Sequence, residues 1–183
     1  MSSTKFRSPK RASLAAGAAL ALAAPVVANA AQNIYLEIPG LPGDSTATGI
    51  PDLKSEFNVL AWSWGISNSS TAAGTAGKAS VQDLSVTKYF SAGSPAIFRA
   101  VAVGESFSSA TLRVYAPATG TSAAQLLWVI LMTKVIITSE STGTSSAQTQ
   151  ITENVTLNFE TITITDQLTG AKDCFNSVTN STC

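Results

Sequence analysis

The chain has 183 residues, 45% of them hydrophobic and only 12% charged, with no histidine and a formal net charge of zero; this is the balance of one globular domain rather than of a disordered or fibrous chain. The missing histidine removes the commonest general base and metal ligand. With Lys5, Arg7, Lys10 and Arg11 set aside in the leader described next, seven basic residues face eleven acidic ones, a net charge of −4 that argues against a nucleic acid partner.

Residues 1–30 read as a secretory signal peptide. Basic residues lie between Lys5 and Arg11, an apolar run extends from Ala12 to Ala28, and Ala28-Asn29-Ala30 matches the small-x-small cleavage pattern, so cleavage is expected between Ala30 and Ala31. A membrane anchor fits less well. The run is interrupted by Gly17 and Pro25, rich in weakly apolar Ala, and shorter than the ~20 residues that span a bilayer. The strongest later apolar stretch, Leu126 to Met132, is only seven residues long, so no membrane partner is expected after cleavage.

From Ile34 apolar residues alternate at 34, 36 and 38 and stop at the turn-forming pairs Pro39-Gly40 and Pro42-Gly43, which predicts a strand. A second strand is predicted over Phe57 to Ile66, where apolar positions 57 and 59 give way to 60, 62, 64 and 66. That one-residue slip implies a bulge. The same slip recurs where Val155, Leu157 and Phe159 give way to Ile162 and Ile164, and two such corners favour a sheet curled into a barrel over a flat one. Between them, Asn68 to Gly77 is a Ser, Thr, Ala and Gly run that reads as a flexible loop, and Val81 to Phe90 alternates in part.

One helix is predicted: Ser94 offers an N-cap hydroxyl, Pro95 suits the first helical position, Ile97, Phe98, Val101 and Ala102 share a face, and Gly104 can end it. Further strands are predicted over Ala110 to Ala116, Gln125 to Thr138 and Asn154 to Thr165, separated by turns at 117–124 and 139–149. Leu126 to Met132 is apolar at every position. Both its faces should therefore be covered, one by the barrel interior and the other by the helix or a neighbouring copy, which points to a homo-oligomer.

Residues 31–166 thus form the expected barrel domain, and 167–183 a polar tail. Its two cysteines, Cys174 and Cys183, are the only ones in the chain, and export would place them in an oxidising compartment where a disulfide is expected. Within one chain it would close a short loop and contribute ~2–3 kcal/mol on the chain-entropy model. Pairing between subunits is the alternative. Two thiols without histidine do not make a zinc site, and no metal is expected.

Four blocks, in order, resemble the haemolysin-coregulated protein (Hcp) family of type VI secretion: I-Y-L-E-I-P-G-L-P-G from Ile34, L-A-W-S-W-G-I from Leu60, K-A-S-V-Q-D-L-S-V-T-K-Y-F-S-A-G-S-P from Lys78, and E-N-V-T-L-N-F from Glu153. The resemblance runs from Ile34 to about Thr165. It implies a mainly β fold, a small antiparallel barrel of two sheets with one short flanking helix. It also implies hexameric rings that stack into a tube and carry small effector proteins in the lumen. Stacking in the family uses an extended loop, for which Asn68 to Gly77 and Asp44 to Lys54 are the candidates. Family tube proteins carry no signal peptide, so the leader and the cysteine pair set this chain apart and imply export to the periplasm or beyond.

The acidic residues Glu37, Glu56, Asp83, Glu105, Glu153 and Glu160 lie on or beside predicted strands and read as solvated side chains or as partners for Lys78, Lys88 and Arg99, not as a facing glycosidase pair. Trp62 and Trp64 share a parity, which predicts packing inside the barrel; an aromatic sugar platform with Tyr35 or Phe90 is the alternative. No catalytic residue, cofactor or enzymatic activity is expected. The reading is an exported structural subunit that forms rings or stacked tubes; the competing one is a monomeric, adhesin-like β-barrel that binds a carbohydrate or protein.

Overall fold

The computed structural model describes residues 32–47, 50, 53–71, 75–118, 123–146 and 148–183. The leader and the Ala30/Ala31 cleavage site lie outside them. The strands are β1 (Asn33–Glu37), β2 (Glu56–Ser63), β3 (Ile66–Thr71), β4 (Thr75–Val81), β5 (Leu84–Tyr89), β6 (Ser106–Ala116), β7 (Gln125–Gly143), β8 (Thr152–Asn158), β9 (Thr161–Asp166), β10 (Lys172–Asn176) and β11 (Ser181–Thr182). A 3-10 turn, Leu53–Ser55, precedes β2, and the helix α1 spans Ser94–Val103.

The expected antiparallel barrel with one helix is present. One nine-stranded sheet, in the order β11-β10-β9-β7-β6-β1-β2-β5-β8, closes on itself because β8 also pairs with β7, leaving a six-stranded barrel. Strands β9, β10 and β11 continue past the closure as a wing. The second sheet is the β3–β4 hairpin. Thus the described ends of the Ser, Thr, Ala and Gly run read as a loop, Asn68 to Thr71 and Thr75 to Gly77, belong to two paired strands, with an irregularity between Asn68 and Ser70; small polar residues carry no alternation to betray them.

Strand β7 ties barrel and wing together. Its second half pairs with β8 (Ile136 with Asn158) and its first half with β9 (Thr133 with Thr161), so β8 and β9 lie end to end along it. The break between them is at Phe159 and Glu160, opposite Lys134, which adopts a positive φ of 50°. Glu160 N–H donates to the Thr133 carbonyl at 3.0 Å, and the Lys134 ammonium meets the Glu160 carboxylate at 2.7 Å. This corner is the parity slip after Phe159; the slip after Val59 is a register shift in the β2–β5 ladder.

The interior is filled from all six barrel strands, among them Leu36, Phe57, Val86, Leu112, Met132 and Leu157. Apolar residues at alternate positions send their side chains to one face of a sheet, and the closed sheet removes that face from water. Two glycines explain why the motif blocks need their residue types. At Gly43 a Cβ would overlap the Glu56 backbone, and at Gly93 it would overlap the Pro42 carbonyl and the Phe57 ring edge. The P-G-L-P-G turn and the S-A-G-S-P segment therefore meet over Phe57, and only glycine permits the approach.

Helix α1 covers one side of the barrel through Ser94, Ile97 and Ala100. Gly104 ends it in the left-handed conformation at φ 65°, its N–H directed at the Ala100 and Val101 carbonyls. The N-terminus differs from expectation: Gly93 is the N-cap, and Ser94 makes no side-chain cap. Its hydroxyl is drawn inward instead, to the ion pair described below. Phe98, expected on the packed face, is 66% exposed.

Candidate functional site: buried charges and a tryptophan cleft

Lys88 on β5 and Glu153 on β8 are both fully buried, with Lys88 Nζ 2.7 Å from Glu153 Oε1. The ammonium also donates to the Tyr89 carbonyl at 2.7 Å and to Ser91 Oγ at 3.0 Å, and lies 5.0 Å from the centre of the Phe57 ring. Ser94 Oγ donates to Glu153 Oε1 at 2.9 Å and accepts the Ser91 N–H at 2.9 Å. Strand β5, β8 and the start of α1 are thereby joined through one buried charge pair. A buried lone charge is costly, and here each has a hydrogen-bonded counter-charge. Glu153 Oε2 is buried without a partner; burial first, and the neighbouring Glu153 second, push the Glu140 carboxyl above its ordinary range.

On the outer face of β1, β2 and β6, Arg113 bridges two carboxylates. Its Nη2 meets Glu37 Oε2 at 3.0 Å and its Nη1 meets Glu56 Oε1. Glu56 is 2% exposed, and its other oxygen is buried without a partner. Burial, reinforced by Glu37 and opposed by Arg113, raises its pKa to about 7. Tyr35 and Tyr115 pack edge to face beside it, ring centres 5.8 Å apart; burial first, and Glu56 second, raise both their hydroxyls above the usual value.

The remaining acidic candidates are placed singly. Asp83 accepts from Asn158 Nδ2 at 2.8 Å, Glu105 pairs with Arg99 at 3.0 Å, and Glu160 is held below the ordinary range chiefly by its hydrogen bond from Lys134. The expected pairing roles of Lys88 and Arg99 are thus seen. Glu153 thus has the expected partner in Lys88 but is fully buried with it, and Glu56 is buried against Arg113, which was not among the expected partners. Arg113, which organises the Glu37–Glu56 pair, was not singled out from the sequence, because nothing local shows that Glu37, Glu56 and Arg113 converge until β1 is paired with both β2 and β6.

Trp62 was expected inside the barrel and is not: it is 37% exposed. Its parity is inward, since it pairs with buried Val86, but β2 has by then reached the open mouth, where inward no longer means enclosed. Trp64 is half-buried against the core. Trp128, on the inward parity of β7, is 43% exposed at the same mouth. All three tryptophans therefore line one cleft of about 330 Å³, with Gln32, Val114 and Ile164 among its other walls. An adjoining cleft of about 280 Å³ shares Trp64 and Ile164 and is closed by Phe175, Cys174 and Thr182 of the wing.

On the outer side of Leu126 to Met132, Leu127 and Val129 are half-buried and Leu131 is exposed among the described residues, as are Leu60, Ile136, Phe98 and Val103 elsewhere. Cys174 and Cys183 are disulfide-bonded, with Cα atoms 5.3 Å apart, and the bond links β10 to the end of β11.

A small closed barrel whose buried charges fasten its own strands, and whose apolar side chains stand outward from several strands, defines a protein that works by presenting surface. The chain belongs to the Hcp family: the family model described as type VI secretion system effector, Hcp, matches residues 35–165. Protein hcp1 of Pseudomonas aeruginosa is 37% identical over 99 residues, 52% of this chain and 60% of that protein, so the match spans less than two thirds of that relative. Among solved structures, Hcp1 from Salmonella typhimurium superposes with a TM-score of 0.69 at 25% identity, covering 84% of this chain and 100% of that one. A type VI secretion system effector from Yersinia pestis gives 0.63 at 20% identity, covering 78% and 98%.

Proposed function

We propose that this chain is an exported structural subunit of the Hcp type, which assembles with copies of itself into hexameric rings or stacked tubes and takes small effector proteins into the lumen. The observation that carries the reading is the closed barrel of β1, β2, β5, β6, β7 and β8, matched by the family model from Tyr35 in β1 through the end of β8 and leaving apolar residues such as Leu131 outward. Outward apolar side chains on a soluble barrel favour burial against another copy. The work of such a protein is assembly rather than catalysis. The signal-peptide pattern of residues 1–30 and the disulfide of the wing support a periplasmic or extracellular location.

Size-exclusion chromatography with light scattering on residues 31–183 tests this, with several subunits per particle expected; a clean monomer at micromolar concentration overturns it. N-terminal sequencing of exported protein should begin at Ala31. The tryptophan cleft favours a second reading, a monomeric binding barrel, and the same measurement of mass separates the two.

A further inference from the structure

All three tryptophans of the chain converge on one cleft of about 330 Å³, and two of them keep more than a third of their surface open, Trp62 at 37% and Trp128 at 43%. Among the described residues the aromatic rings in contact are those of Tyr35 and Tyr115, so the indole faces are not taken up by one another. The polar content of the walls narrows the choice of ligand. Among the described residues lining this cleft none is charged, and Gln32 supplies the one amide. The adjoining cleft, which shares Trp64 and Ile164, adds one carboxylate, Asp173, and no cation. A sugar, a primary amine or a guanidinium entering such walls would leave most of its donors unpaired, at a cost in desolvation. An anion would meet Asp173 and a chain that beyond residue 30 carries seven basic residues against eleven acidic ones. A neutral hydrocarbon would be served as well by leucine or isoleucine walls, whereas indoles add an attraction felt by cations alone.

We infer that the tryptophan cleft is a binding site for a quaternary ammonium group, held chiefly by cation–π contact with the exposed indoles of Trp62 and Trp128. Such a group carries positive charge but no hydrogen-bond donor, so nothing on it is left unpaired when it leaves water. Its methyl shell packs against Val114, Ile130 and Ile164 while its charge is drawn to the negative faces of the rings. Asp173 in the joined cleft biases the site further toward a cation. The inference rests on the walls of the cleft and not on ring formation, so its failure would leave the assembly reading standing.

Isothermal titration calorimetry on the protein as expressed from the full-length gene tests this without relying on the indoles as reporters. The probes are choline, its uncharged carbon isostere 3,3-dimethylbutan-1-ol, and ethanolamine, which has the charge but also the ammonium donors. Choline should bind about 5- to 30-fold more tightly than the isostere, the ratio that cation–π attraction at a partly desolvated site converts to. Ethanolamine should bind less tightly than choline. Trp62→Leu/Trp128→Leu should weaken choline binding by about tenfold or more, and Trp62→Phe/Trp128→Phe should restore part of it. The inference is overturned by the absence of saturable choline binding in the millimolar range. Equal affinity for the isostere also overturns it, since the cleft is then merely apolar, as does equal affinity for ethanolamine, which marks general attraction to an acidic protein. So does choline affinity unchanged in the double leucine variant. Should that variant fail to fold, the comparison of choline with its isostere on the unaltered protein decides by itself.

Discussion

Replacing Lys88 by Met keeps most of the side-chain volume and removes the ammonium that Glu153, the Tyr89 carbonyl and Ser91 all use. Glu153 would remain fully buried with no counter-charge, left with the Ser94 hydroxyl and the neighbouring Glu140 carboxyl. Breaking a buried pair by removing one member costs ~3–5 kcal/mol, because a charge is left uncompensated. Against a total stability of ~5–15 kcal/mol that is a large fraction. For a chain of this length each kcal/mol moves the midpoint by ~2–4 °C, so a melting point lower by ~6–20 °C is expected. Urea denaturation of residues 31–183 would give the loss at unchanged slope. In the double variant Lys88→Met/Glu153→Leu no buried charge is left alone, and the cost should fall below the sum of the single changes by ~0.5–3 kcal/mol. A loss below ~1 kcal/mol for Lys88→Met, or strict additivity, would refute the view that this pair fastens α1, β5 and β8 together.

Glu56 makes stability depend on pH. Its folded pKa of about 7 stands above the ordinary 4.5, so the folded state holds the proton more tightly, and this contribution is complete below pH 4.5 and lost as pH rises through 7. Denaturation midpoints should therefore fall between pH 5 and 8, and Glu56→Gln should flatten that slope; an unchanged slope in the variant would exclude Glu56 as its source. Gly93→Ala forces a Cβ into the Pro42 carbonyl and Phe57 ring, and should cost ~1–3 kcal/mol by urea denaturation even though alanine is otherwise benign. Cys174→Ser/Cys183→Ser should cost no more than ~3 kcal/mol, with the mass of the assembly in solution unchanged. Loss of the assembly in that variant would place the wing in the subunit interface.

Where a segment alternates against one buried face, its strand was legible: β1, β5 and the slip after Val59 could all be read from spacing, and the slip after Phe159 marks the corner where β8 hands over to β9. The β3–β4 hairpin was not legible, because its small polar residues show no alternation and its composition matches a linker; among its described residues only Val81, at its end, packs against the core. Parity correctly gave the side of the sheet on which Trp62 and Trp64 lie, yet it carries no information on how far along the barrel axis a residue sits. Ser94 had the right residue type and position for a helix cap, and lost that role to two charges 6 and 59 residues away in sequence. Long-range pairing of this kind also hid the Glu37, Glu56 and Arg113 cluster, whose members meet only once three strands are in register.

The wing tapers. Strand β7 has 19 residues, and the strands laid successively beyond its first half have 6, 5 and 2. Without them, the apolar stretch from Leu126 to Met132 would end the sheet as a long unpaired edge, the kind of template on which another chain adds a strand and aggregation begins. Each added strand passes on a shorter edge, and the last, two residues long, is pinned by the disulfide to its neighbour. A wing that narrows to two residues leaves little edge for lateral growth of the sheet, which would direct any contact between copies to side chains on barrel faces rather than to extended hydrogen-bond ladders.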